Sequence, residues 1–143
     1  MLKGIDPIVS PELLSVIARM GHGDVLAVVD RNFPAHAHGR EVVAAHGVGT
    51  TRLAEALFAL LPVDTFIARP IARMQVVDDP DAYPEVQREF TALAEAAEER
   101  AIEVEPVERF AFYARTRAAF AVVQTSEARA YGCFLVTKGV VTG

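Results

Sequence analysis

Five apolar residues in a row, Val25-Leu26-Ala27-Val28-Val29, end abruptly at Asp30 and follow a histidine set between glycines in Met20-Gly21-His22-Gly23-Asp24. The run is too short for a free-standing helix, and a strand covered on one face would alternate apolar with polar residues. Continuous apolarity therefore predicts a strand buried on both faces. Such a strand needs cover above and below the sheet. Ahead of it, Ser10 can cap a helix, Pro11 suits its first position, and Glu12 complements its dipole. Leu13, Leu14, Ile17 and Met20 then recur at helical spacing until Gly21 stops the pattern.

The same reading extends along the chain. Asn32-Phe33-Pro34 predicts a loop, and Glu41 to His46 a second strand. Thr50 or Thr51 can cap a helix through Leu53, Leu57, Leu60 and Leu61 that Pro62 ends. Pro70 to Val77 predicts a strand bounded by Asp78-Asp79-Pro80. Pro84 to Arg100 is the longest helical pattern, with Val86, Phe90, Leu93 and Ala97 on an apolar face and its Glu, Gln and Arg residues turned to solvent. A strand over Glu103 to Val107, a helix over Arg109 to Arg117, and strands over Ala119 to Gln124 and Gly132 to Val136 complete the series. Helices and strands alternate with short connections, which predicts a three-layer α/β/α domain. With 143 residues, 52% of them hydrophobic, residues 1–143 fit a single domain that buries roughly two thirds of its unfolded surface.

Charge and cysteine content narrow the function classes. A net charge of -5 without a concentrated basic patch argues against nucleic acid or an anionic membrane as partner. Arg109, Arg115 and Arg117 are interspersed with apolar residues and read as a solvated helix face. The lone Cys133 excludes an internal disulfide and suits a reducing compartment. The N-terminus resembles neither a secretory signal nor a membrane span, so the expected location is the cytoplasm.

Four constellations can carry chemistry. His36-Ala37-His38, if extended, puts two imidazoles on one side of the chain and with Asp30 offers a divalent-metal site, although a tetrahedral ion needs further ligands. Gly47-Val48-Gly49-Thr50-Thr51 ahead of a helix reads as a phosphate cradle or as a turn with a threonine cap. It lacks both the P-loop lysine and the third glycine of a dinucleotide fingerprint. Cys133 in an apolar strand reads as a small core residue, or as a nucleophile if a base lies beside it. Finally, His22 and Asp30 bracket the first strand. An aspartate at the carboxyl end of a buried strand is placed to accept sugar or alcohol hydroxyls, or simply to shape a turn. His22 is the ordinary side chain best suited to move protons near neutral pH, or it caps the helix before it.

Residue by residue, the chain resembles the D-ribose pyranase and L-fucose mutarotase family. The resemblance runs through Met1-Leu2-Lys3-Gly4-Ile5-Asp6-Pro7, Ser10-Pro11-Glu12-Leu13-Leu14, Met20-Gly21-His22-Gly23-Asp24 and Asp30 with Asn32-Phe33-Pro34-Ala35-His36. It continues in Arg109-Phe110-Ala111-Phe112-Tyr113, Ala130-Tyr131-Gly132 and Lys138-Gly139-Val140. It implies a cofactor-free isomerase in which His22 is the proton donor and Asp30, Arg109, Tyr131, Gly132 and Cys133 contact a monosaccharide. An arginine at position 109 marks the fucose-type branch, the ribose type having histidine. The family's Tyr-Gly-Asn segment ends here in Cys133, which exchanges two amide donors and a carbonyl for a weak thiol donor and acceptor.

The resemblance also implies homo-oligomers, decameric rings among them, with pockets near subunit contacts. The reaction it implies is interconversion of α and β anomers, and of pyranose and furanose forms, of L-fucose or a related aldose by ring opening. Asp30 either orients His22 or holds a hydroxyl. Two other classes fit parts of the chain: a non-catalytic sugar-binding or regulatory module, and a metal-dependent hydrolase or isomerase using His36, His38 and Asp30.

Overall fold

The Ser10 hydroxyl accepts a hydrogen bond from the Leu13 amide, Pro11 opens helix α1 (Pro11–Arg19), and the backbone turns extended at Met20. Strand β1 (Val25–Val29) follows. The computed structural model describes residues 1–143. It continues with α2 (Ala35–His38), β2 (Val42–Ala45), α3 (Thr50–Phe58), β3 (Ile71–Met74), α4 (Glu85–Glu98), β4 (Val104–Val107), α5 (Arg109–Ala118), β5 (Ala121–Thr125) and β6 (Phe134–Thr137). The six strands form one sheet in the order β2-β5-β1-β6-β3-β4. Five run parallel, and β6 alone runs against them between β1 and β3.

β1 is buried on both faces, and its side chains divide by parity. Leu26 and Val28 pack with Leu13, Val16, Leu53, Leu57 and Phe90 of α1, α3 and α4. Ala27 and Val29 pack with Phe33, Ala35 and Phe112 on the face covered by α2 and α5. In the first layer the Phe90 ring lies parallel to Phe134 at 3.7 Å between centroids and edge-on to Phe58 at 5.2 Å. The three layers arise because both sheet faces are apolar.

Four local expectations change. Ala35–His38 is one helical turn, not an extended segment, because the chain must bend back after Pro34 to reach β2. Residues two apart on a helix point about 200° apart, so His36 and His38 do not face one ligand. His38 instead stacks on Tyr113 at 4.5 Å, with Arg117 on its Nδ1 at 2.7 Å. Gly49 is the cap residue of α3, and Thr50 lies inside the helix. The helix ends at Phe58, so Leu60 and Leu61 lie in the turn that follows, where both amides bond to the Leu57 carbonyl, and do not extend the helix to Pro62. β3 stops at Met74, three residues before the predicted end. Gln87, assigned to the solvent face of α4, is fully buried, since it satisfies backbone carbonyls at the end of the sheet.

Candidate active site

All five parallel strands end on one edge, and there a hollow of about 210 Å³ opens among Asp30, Phe33, Met74, Arg109, Tyr113, Tyr131 and Cys133. This is where ligands bind in open α/β sheets, beyond the carboxyl ends of the strands. Asp30 follows β1 and is 7% exposed. One carboxylate oxygen accepts the Asn32 amide at 3.0 Å, and the other accepts the Cys133 thiol at 3.4 Å. Burial and the neighbouring Asp30 charge push the Cys133 thiol up, so it stays protonated and donates. Arg109 is the first residue of α5, whose start is fixed by Glu108 accepting the amides of Phe110 and Ala111. Its guanidinium rests over the Phe110 ring at 4.7 Å.

The segment before β6 is held firmly. Tyr131 adopts the left-handed conformation at φ 65°, an uncommon state for a ring-bearing residue that survives only where its surroundings enforce it. The enforcement is visible at both ends: Gln87 donates to its carbonyl at 3.0 Å, and its hydroxyl accepts the Val77 amide at 3.2 Å. Gln87 also donates to the Met74 carbonyl, while its own oxygen accepts from the buried Arg73. Gly132 is tightly enclosed, as a Cβ would stand 3.0 Å from Glu127 Cγ and 3.3 Å from Val86 Cγ2, so either neighbour would have to give way to a side chain.

Glu127 anchors that segment to α3. Its carboxylate accepts from Thr50 N and Oγ1 and from Arg129 N, Nε and Nη2. Arg129 above all holds the carboxyl at about 2, against the cost of burial, with Thr50 assisting. A carboxylate of the protein thus occupies the helix N-terminus that a phosphate would use, which disposes of the cradle reading of Gly47 to Thr51. Arg129 continues to Glu89 on α4 at 2.9 Å, and the Glu127 carbonyl accepts the Arg31 amide beside Asp30.

His22 lies at the opposite edge. Five residues of β1, about 16 Å of strand, separate its turn from Asp30. Gly23, at φ 86°, makes the turn, and its amide donates to the carbonyl of Lys138 just past β6. The Lys138 ammonium binds the carbonyls of Ile17 and Met20, so it closes the end of α1 that His22 was considered for. The His22 ring meets Asp64 Oδ1 through Nε2 at 2.9 Å and Phe66 at 4.8 Å between centroids. One chain therefore brings Asp30, Arg109, Tyr131, Gly132 and Cys133 to one edge and leaves His22 at the other.

The model of the RbsD / FucU transport protein family matches residues 3–141. The chain belongs to this family. An L-fucose mutarotase of Actinobacillus pleuropneumoniae serotype 5b is 44% identical over 140 residues, covering 98% of this chain and 97% of the relative. The fucose mutarotase of Streptococcus pneumoniae, solved in complex with L-fucose, superposes with a TM-score of 0.90 at 29% identity, covering 99% of this chain and 100% of that one. RbsD of Bacillus subtilis, complexed with D-ribose, shares the fold with a TM-score of 0.75 at 19% identity, covering 99% and 100%.

In this RbsD/FucU chain, three groups escaped sequence reasoning. Asp64, in the loop before β3, carries no motif and meets His22 across 42 positions. Glu127 and Arg129, two positions apart in the loop after β5, carry no motif. Gln87 was hidden by its polarity. No three His, Cys, Asp or Glu side chains gather as ligands for an ion, so the His36, His38 and Asp30 grouping does not form. No helix is long and apolar enough to cross a membrane.

Proposed function

We propose that this RbsD/FucU protein is a sugar mutarotase acting on L-fucose or a closely related aldose. The observation that carries the reading is the convergence of Asp30, Arg109 and Tyr131 on one hollow of about 210 Å³. A carboxylate and a guanidinium fork select paired hydroxyls, and an aromatic face suits the C–H side of a sugar. The relatives named L-fucose mutarotase support the substrate class.

Ring opening breaks the C1–O5 bond. Its electron pair goes to O5, which takes a proton from His22, while the anomeric hydroxyl loses its proton to water and becomes the C1 carbonyl. Rotation about C1–C2 and the reverse steps close the ring on the other face. One positioned acid contributes about 10² to 10⁴ in rate, without a cofactor.

Because His22 and Asp30 sit at opposite sheet edges, His22 of one copy completes the hollow of another in this reading. Two exposed apolar surfaces support it. Phe66 and Ile67 stand in solvent beside His22, and Val77 and Phe110 stand in solvent beside the hollow. A closed ring of such head-to-tail contacts, a decamer in this reading, satisfies every copy. A single cysteine, with no disulfide, suits a reducing cytoplasm.

Saturation-transfer NMR between the α and β anomer signals of L-fucose tests the proposal. Exchange above the buffer rate is expected, lost in His22→Ala; undiminished exchange in that variant removes His22 from the mechanism. The separation of His22 from the hollow within one chain also fits a sugar-binding module without turnover. That module would bind L-fucose and leave anomer exchange at the buffer rate.

A further inference from the structure

We infer that Asp64 is a positioning residue for His22: its buried carboxylate fixes Nε2 as the bound N–H of the imidazole and leaves Nδ1 as the nitrogen that trades protons with the sugar. The inference rests on the mutarotase reading above and adds to it the atom through which His22 acts.

The geometry is asymmetric in a useful way. The Asp64 side chain is 2% exposed and His22 is 44% exposed, with 2.9 Å between Oδ1 and Nε2. One nitrogen of the ring is thus tied to a buried acceptor, and Nδ1 is engaged by no group of its own chain. Phe66 packs against the ring at 53°, which limits its rotation.

The carboxylate itself is held by its backbone. The Asp64 amide donates to the Thr137 carbonyl at 3.0 Å, and Arg100 Nη2 donates to the Asp64 carbonyl at 3.0 Å. Glu98 accepts the preceding Val63 amide at 2.6 Å. Gly139 passes so close that a Cβ there would stand 2.8 Å from the Val63 carbonyl oxygen and 2.9 Å from Asp64 Cα. The His22 turn hangs on the same piece of chain, since Gly23 N donates to the Lys138 carbonyl and Lys138 N to that of Asp24. Residues 137–139 therefore set the distance between acid and orienting carboxylate.

The chemistry follows from acceptor count. Burial opposes the charge on Asp64, but the hydrogen bond from His22 and the amides of Phe66 and Ile67 outweigh it and hold the carboxyl below the usual range. An ionised carboxylate only accepts, so the bonded Nε2 carries a proton whether the ring is neutral or cationic. The proton gained and lost is the one on Nδ1. Other charged groups at this turn bind elsewhere: the Lys138 ammonium to the carbonyls of α1, the Asp24 carboxylate to the Gly21 amide, and Arg100 to backbone. Asp30, considered earlier as the orienting group, is on the far edge of the sheet.

Two measurements on the assembled protein decide the matter. Long-range proton–nitrogen NMR of ¹⁵N-histidine protein, with His22 assigned by its loss in His22→Gln, is expected to show a protonated Nε2 and a bare Nδ1 in the neutral ring. In Asp64→Asn the amide can donate as well as accept, so the two tautomers mix. The exchange kcat for L-fucose falls about 10- to 100-fold, within the range of acid–base contributions, with KM held within about twofold. A purely structural Asp64 would move neither the tautomer nor kcat alone.

A neutral wild-type ring protonated on Nδ1 overturns the inference, and because it needs no variant it decides the case even if Asp64→Asn does not fold. Full kcat in a folded Asp64→Asn overturns it as well. Wild-type protein that exchanges no anomers overturns the mutarotase reading itself, whereas active wild type with equally active Asp64→Asn overturns only the role of Asp64.

Discussion

Replacing Glu127 by glutamine keeps the volume of the side chain and removes its charge, so the packing contribution nearly cancels and the electrostatic one remains. In the native protein five donors converge on this carboxylate: Thr50 N and Oγ1, and Arg129 N, Nε and Nη2. A glutamine must turn its own NH₂ toward one group of them. The carboxyl ordinarily titrates near 4.5, and Arg129 first, then Thr50, hold it at about 2 against the cost of burial. At about 1.4 kcal/mol per pH unit, that difference corresponds to up to about 3 kcal/mol of folding stability.

The folded state binds fewer protons here than the unfolded one. The stabilisation is therefore complete above about pH 4.5 and drains away as pH falls toward 2. Urea unfolding of wild type and Glu127→Gln, at one protein concentration, is expected to differ by about 3 kcal/mol at pH 7 and about 1.4 kcal/mol at pH 3. Comparing the pair removes the titration of Asp6, Asp64 and Glu108, which lie apart from this cluster and are shared by both proteins. A difference that is the same at both pH values would refute the electrostatic account, and one below about 1 kcal/mol at pH 7 would refute the importance of the clamp.

Two further outcomes concern the hollow. Arg109→Lys keeps the charge but loses the planar fork, so KM for L-fucose is expected to rise about tenfold with kcat within a few fold; unchanged KM in the NMR exchange assay counts against Arg109 as a sugar contact. Cys133 is 2% exposed and its thiol is pushed up by burial and by Asp30. A thiol-specific reagent at pH 8 is expected to leave it unmodified in the native protein and to modify it fully in denaturant. Rapid native labelling would contradict its burial against Asp30.

The fold was legible where composition and geometry allow one answer. Val25 to Val29 could only be a doubly covered strand, and that demand for helices on both faces is met by α1, α3 and α4 on one side and α2 and α5 on the other. Direction was not legible. Nothing in Phe134 to Thr137 says that β6 runs against its neighbours, because antiparallel and parallel strands buried on both faces have the same apolar content. Nor does periodicity reveal a polar residue buried for its hydrogen bonds. Gln87 matches the polar stripe of α4 by its chemistry, yet the open carbonyls of Met74 and Tyr131 draw it inward.

The candidate site divides along the same line. Asp30 and Arg109 each follow a parallel strand, and topology brings such positions together. Tyr131 precedes the antiparallel β6, so its place beside them was implied by the family resemblance alone. His22 was expected in one site with Asp30; a residue before a parallel strand instead lies on the other edge from the residue after it. What that separation means is visible only in three dimensions. In the proposed mutarotase reading, a single copy presents the sugar hollow without its acid at one edge, and the acid with its orienting carboxylate at the other. The exposed Phe66 beside the acid and Phe110 beside the hollow are the surfaces by which two copies would join these halves. On the proposed reading, activity belongs to the contact between copies, so Phe66→Asp should lower anomer exchange and association together while leaving each chain folded. Asp64 adds that this contact must meet the sugar with Nδ1 of His22, since Nε2 is already bound.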